Sequence, residues 1–179
     1  MNHHEFASQI AQTAPSHPDL VALGIEDASA SEMIAQYYVR PRASQLEIAF
    51  LTHDVVVDFI KTYDVADLEI GMVDFLPNPL HHGDYLHFAK VELDPMFLSI
   101  TGEVLVVDWQ QPDHVMWHCA VDGAHLFDAM VITSQFLTLT MLNDDIYNDE
   151  ALALSVAASA AIAAGGEKYV SFYQMMLGV

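Results

Sequence analysis

The sequence predicts an α+β domain: a mostly antiparallel sheet packed by helices, with helical additions at the N- and C-terminal ends. Three observations carry this expectation. Apolar residues recur at helical intervals in the first and last thirds of the chain. The middle third instead holds short apolar runs separated by turn residues. Strands and helices do not alternate, as they would in a βαβ protein. The 179 residues are 53% hydrophobic with only 8 Gly and 7 Pro, enough apolar surface to offset the entropy of ordering one domain. No internal repeat or linker divides residues 1–179.

Phe6 and Ile10 stand four apart in a short N-terminal helix that Pro15 and Pro18 break. Ser29 and Glu32 have capping-box spacing ahead of Met33, Ile34, Tyr37 and Tyr38, and Pro41 ends that helix. Two signals compete between Leu46 and Asp64. Val55-Val56-Val57 favours a strand, while Val55, Val56, Phe59, Ile60 and Tyr63 recur at helical spacing. The helix is expected, with Thr52 as N-cap and Asp54 supporting its first turn.

Strands come next. Leu68–Asp74 runs to a Pro77-Asn78-Pro79 turn, and Tyr85–Leu93 is a longer extended segment. Met96–Ile100 and Glu103–Trp109 form a hairpin across Thr101-Gly102. His114–Val121 alternates Val115, Trp117, Cys119 and Val121 against His114, Met116, His118 and Ala120, and Asp122-Gly123 reads as a turn. Leu126–Leu142 is apolar almost all round, which predicts a deeply packed helix. Asp144-Asp145 and Asp149-Glu150 precede an Ala-rich helix, Ala151–Ala164, that Gly165-Gly166 ends. Glu167–Leu177 completes the chain as one more short helix.

Charge is the outlying property. The chain carries 25 Asp+Glu against 5 Lys+Arg, a formal net charge of −20. Most of these carboxylates have no basic partner and belong in water, because an unpaired buried carboxylate costs several kcal/mol or takes up a proton. The resulting field repels phosphate backbones and anionic lipid and attracts cationic surfaces, so neither direct nucleic-acid binding nor membrane binding is expected. Solubility alone accounts for some acidity, and a halophile's solvating coat is a further reading. The 9 Phe, 9 Met and 7 Tyr count against the latter. A single Cys, Cys119, gives no intrachain disulfide. Met1-Asn2-His3-His4-Glu5 lacks the features of a secretory signal, and Ala151–Ala164 is too short for a bilayer, so a cytoplasmic location is expected.

Chemistry-bearing clusters are sparse. His81, His82, Asp84 and His87 are the densest metal candidates among ten His. They would support a metal-dependent hydrolase if a turn gathered them, yet no regular spacing demands it. His114 and His118 on a strand stand about 13 Å apart, too far to share one ion. Cys119 and His118, as strand neighbours, point to opposite faces. Nucleophile elbow, Walker loop, dinucleotide fingerprint and H-E-x-x-H are all absent. No catalytic residue and no cofactor are therefore expected. The Ala-rich helix suits close packing within the fold, and self-association into a homodimer is its functional reading. Phe75, Tyr85, Phe88, Trp109 and Trp117 are expected in the core, although Tyr and Trp also serve as binding anchors.

The order of motifs from Leu46 to Leu142 resembles the SUKH superfamily of bacterial immunity proteins. Phe50-Leu51-Thr52-His53-Asp54 followed by Phe59-Ile60-Lys61-Thr62-Tyr63-Asp64 is similar to its first core helix. Ile70-Gly71-Met72-Val73-Asp74-Phe75-Leu76-Pro77 resembles its first strand, and Gly83-Asp84-Tyr85-Leu86-His87-Phe88 its Gly-Asp strand start. Gly102–Trp109 is similar to the strand after its central hairpin, and Val131–Leu137 to its aromatic helix. Thr52-His53 stands where the family has Leu-Pro, Asp64 where it has Asn-Gly, and the helical extension over 149–177 lies outside the pattern. The resemblance implies a SUKH-like core over about 46–142 and a non-enzymatic protein that occludes a cognate toxin. Acids flanking the sheet's turns are the expected contacts for a toxin with a basic surface: Asp64, Asp67, Glu69, Asp84, Glu92, Asp94, Asp108 and Asp113. A regulatory scaffold or a nucleic-acid mimic is the alternative use of the same acidity.

Overall fold

A computed structural model describes residues 1–50 and 53–179. Leu51 and Thr52, and with them the expected Thr52 cap, lie outside the described residues. Helix α1 (His3–Thr13) opens on a capping box between Asn2 and Glu5. Helix α2 (His17–Ala22) is capped by Ser16 and carries Pro18 in its first turn, so this proline starts a helix instead of breaking one. Helix α3 (Asp27–Ala35) begins after Glu26 without a side-chain cap. Ser29 and Glu32 therefore lie inside it, and Tyr37 and Tyr38 lie beyond its end. The two-residue strand β1 (Arg40–Pro41) pairs with β2 (Tyr63–Asp64), which directly succeeds helix α4 (Val55–Thr62). Periodicity thus outweighs the Val-Val-Val propensity in α4, whose cap is Asp54.

The main sheet is a meander of β3 (Glu69–Ile70), β4 (Val73–His82), β5 (Tyr85–Val91), β6 (Asp94–Ser99), β7 (Val104–Val107) and β8 (Val115–Ala120). Each strand pairs antiparallel with the next in sequence. Pro77-Asn78-Pro79 is not a turn but lies inside β4, at the register shift between Phe75 and Leu80. Strand β3 reaches only to Asp74, so among the described residues both prolines sit where no strand beyond β4 needs an N–H donor. The reversal comes later, at Gly83-Asp84.

Asp122-Gly123 turns the chain from β8 into helix α5 (Gly123–Leu142). Short α6 (Asp144–Tyr147) leads to α7 (Glu150–Ala163), which Asp149 caps. Gly165 and Gly166, both at positive φ, end it before a 3-10 turn (Glu167–Tyr169) and α8 (Val170–Leu177). One buried core runs from Phe6 to Met176. At its centre Phe127 of α5 stacks on Phe6 of α1, with ring centroids 3.8 Å apart, and meets Phe59 of α4 edge-on. Helix α7 buries Ala153, Ala157, Ala160 and Ala161 on one face, and Tyr169, Phe172 and Tyr173 are fully buried in the same core. The C-terminal helices are thus part of one core with the sheet. By length and composition α5 could cross a bilayer, but half of its apolar window is buried within the fold.

Candidate interaction surface

Turns of a meander fall alternately at its two ends. Gly71-Met72, Glu92-Leu93 and the 108–114 loop share one end, while Gly83-Asp84 and 100–102 share the other. This alternation sorts the eight acids. Glu92, Asp94, Asp108 and Asp113 come together at the first end, and Asp84 stands alone at the opposite one, where its carbonyl accepts from Ile100 N. Asp64, Asp67 and Glu69 form a third group on the segment joining α4 to the sheet.

The three groups differ in what their carboxylates already do. Asp64 pairs across the strands with Arg40, and its Oδ1 accepts from Ala66 N. Asp64 and Asp67 line a small cleft with Arg40 and Tyr38, and Glu69 accepts from Gln36 Nε2 at 2.8 Å. Those acids serve the local fold beside a guanidinium. At the first end the nearest basic side chain, Lys90, is engaged with Asp74 at 2.8 Å, and residues 91–167 contain no Lys or Arg at all.

Hydrogen bonds hold the first end together. Glu92 N donates to Met72 O, joining two turns. Val91 and Asp94 close the β5–β6 turn, where Glu92 adopts φ +55°. Asp94 Oδ1 accepts from Trp109 N at 3.0 Å, joining that turn to the β7–β8 loop. Asp108 Oδ1 accepts from Gln110 N at 2.7 Å, and its backbone N–H donates to His114 O. Two large apolar side chains emerge among these acids: Leu93, 72% exposed, and Trp109, 55% exposed. The aromatics expected in the core divide accordingly. Phe75 and Phe88 are buried and Trp117 is half-buried against Phe172, but Trp109 and Tyr85 are on the surface. They sit at strand ends, where a core-like residue type has no layer above it.

The histidine group does not assemble. Neighbours on β4 face opposite ways, so His81 rests on Phe50 while His82 turns to Phe97 on the other face, with His87 beside it. Asp84 is exposed in the turn. Among the described residues no three His, Cys, Asp or Glu are placed to hold a metal ion, and the candidates His81, His82, Asp84 and His87 are not gathered into one. His118 bonds Glu103 at 3.0 Å on the exposed face, while Cys119 is buried and burial pushes its thiol well up. A thiol–imidazole dyad is therefore not formed. Sequence reading missed Leu93, whose only signal was an apolar residue placed in a two-residue turn.

One cross-strand row on the less buried face runs Leu80, His87, Phe97, Leu105 and His118. Burial and then the charge of His82 push the His87 imidazole below its ordinary value. Its folded-state pKa lies below the unfolded one, so the unfolded chain takes up a proton in that window and the fold does not. Stability from this group is full above about pH 6.5 and falls as pH drops through the window. His87→Phe is expected to lose less stability than wild type between pH 7 and pH 5.5, as read by paired thermal melts.

Comparison with known protein families, with curated proteins and with solved structures finds no match, and the geometry of this acidic, Trp-bearing sheet end carries the functional reading.

Proposed function

We propose that the chain is a SUKH-type immunity protein that acts in the cytoplasm, binding a cognate bacterial toxin domain and occluding its basic active cleft. The observation that carries this reading is the gathering of Glu92, Asp94, Asp108 and Asp113 at one end of the meander, within a long stretch of sequence that has no Lys or Arg. Such a surface needs no chemistry of its own. It attracts a cationic cleft over a Debye length and covers it on contact. Protection requires capture before the toxin acts, and electrostatic steering lifts association to about 10⁸–10⁹ M⁻¹s⁻¹ at low salt. The order of the SUKH-like motifs supports the same reading.

The test is binding to the product of the adjacent gene at low and high salt. Steering predicts association that slows at least tenfold as salt rises. Reversing all four charges is expected to slow it similarly and flatten the salt dependence. Reversing Asp84 alone, at the far end, should leave it unchanged. Salt-independent association by the wild-type chain would remove the steering mechanism, and no binding at all would remove the immunity reading.

A further inference from the structure

We infer that Leu93 and Trp109 are the two apolar anchors of a docking surface whose partner is a protein presenting Lys or Arg side chains around an apolar cleft. The inference rests on the reading that this sheet end binds a protein, and adds the partner's chemistry.

The two segments that carry these side chains are tied together. Leu93 is adjacent to Asp94, and Asp94 Oδ1 accepts the backbone N–H of Trp109. The backbone of the two loops is therefore joined before any partner arrives, which reduces the ordering cost of binding. Turn chemistry gives no reason for Leu93. A two-residue turn with positive φ at its first residue alone favours Gly there; Glu92 takes that position, and Leu93, which the turn does not require, is 72% exposed. Trp109 adds an aromatic body of the kind that dominates binding energies when it enters a partner's pocket. Charge selects the occupant. Glu92, Asp108 and Asp113 flank the anchors, and the nearest base is already paired. An apolar cleft edged by carboxylates would be repelled, whereas one edged by bases meets them. A second copy of this chain, at net charge −20, brings more carboxylates and is disfavoured. Anionic lipid is disfavoured for the same reason.

The experiment tracks the two indole N–H signals of the full chain by NMR, since Trp109 and Trp117 are its only tryptophans. The probe is a synthetic peptide of alternating Lys and Leu, and the control replaces every Lys by Glu. The Lys peptide is expected to move the Trp109 signal and leave Trp117 in place. The Glu peptide is expected to move neither. Trp109→Ala and Leu93→Ser should each weaken binding at least tenfold, to the Lys peptide and to the adjacent-gene product alike. Ile162→Ser, on the exposed face of α7, should change neither. Equal binding of the Glu peptide would overturn the charge selection. A Trp109 signal that never moves, or affinities that neither anchor variant changes, would overturn the surface itself. A Lys peptide that docks at Trp109 while the adjacent-gene product does not bind would leave the surface standing and end the immunity reading.

Discussion

Phe127→Ala is expected to lower stability by about 3–5 kcal/mol, the range for losing a buried phenylalanine. The ring belongs to α5, stacks on Phe6 of α1 and meets Phe59 of α4 at 5.3 Å. Phe6 and Phe59 also touch, at 5.1 Å. Removing the one ring thus opens a cavity where three helices meet, and none of the three can close it without moving the others. For a chain of this length the midpoint of thermal unfolding should fall by roughly 10 °C. Urea unfolding checks this, with the midpoint shifting at unchanged slope. Phe6→Ala in the same background should cost less than it does alone, because the rings are in contact and their losses are not additive. Equal costs in both backgrounds would show that the stack contributes no coupling.

Gly123→Ala is the second large effect, and it comes from one carboxylate. Asp54 Oδ1 accepts from Val56 N at the start of α4, while its Oδ2 accepts from Gly123 N at the start of α5, both at 2.8 Å. A Cβ on Gly123 would clash with Asp54 Oδ1 and stand 2.7 Å from Val56 Cγ2. The clash forces the two helix starts apart and is expected to cost at least about 1–3 kcal/mol, as overpacking does. Asp54→Ala should cost about 2–5 kcal/mol, because it leaves two N–H groups without their acceptor in a largely enclosed place. The double variant should be more stable than the sum predicts, since removing the carboxylate also removes the nearer clash. Burial pushes the Asp54 carboxyl up, against the pull of its two N–H donors. Its ionised form is thus less favoured in the fold than in the unfolded chain. Its contribution to stability declines as pH rises from the unfolded value to the folded one, and Asp54→Asn should flatten that part of the profile.

These two sites mark where local patterns stop being informative. Helix α4 is legible because Val55, Val56, Phe59 and Ile60 repeat at its period and Asp54 precedes them. The joining of Asp54 to Gly123 is not, since the two are 69 residues apart and only tertiary packing brings them together. Asp122-Gly123 carries a true turn signal, and the apolar run from Leu126 tells that this turn leads into a helix. Pro77 and Pro79 mislead for a related reason. A proline forbids a ladder bond only where a neighbouring strand exists, and β3 stops short of them. The acids at the sheet end belong to turns, as their flanking residues indicate. Which end of the sheet each turn occupies depends on counting strands in order, and a missed or added strand exchanges the ends. Trp109 and Leu93 are obscured by composition, because a large apolar residue type does not announce that no layer covers it.

The meander also limits how another chain can approach it. An open sheet has two edges, and unpaired edge strands are the usual place for a foreign strand to add itself. Here one edge is β3, only two residues long. Beyond it, where no described strand pairs with β4, stand Pro77 and Pro79, which have no N–H to give, and Pro77 O already accepts from Arg42 Nη2 at 2.6 Å. At the other edge, Cys119 O of β8 accepts from Tyr173 Oη, and the next residue after the strand, Val121, donates its N–H to Ala164 O. The β3–β4 edge offers no long, regular ladder, and the C-terminal end of β8 is already engaged. Strand addition, including the runaway addition that leads to fibres, is disfavoured along the β3–β4 edge and hindered at the C-terminal end of β8.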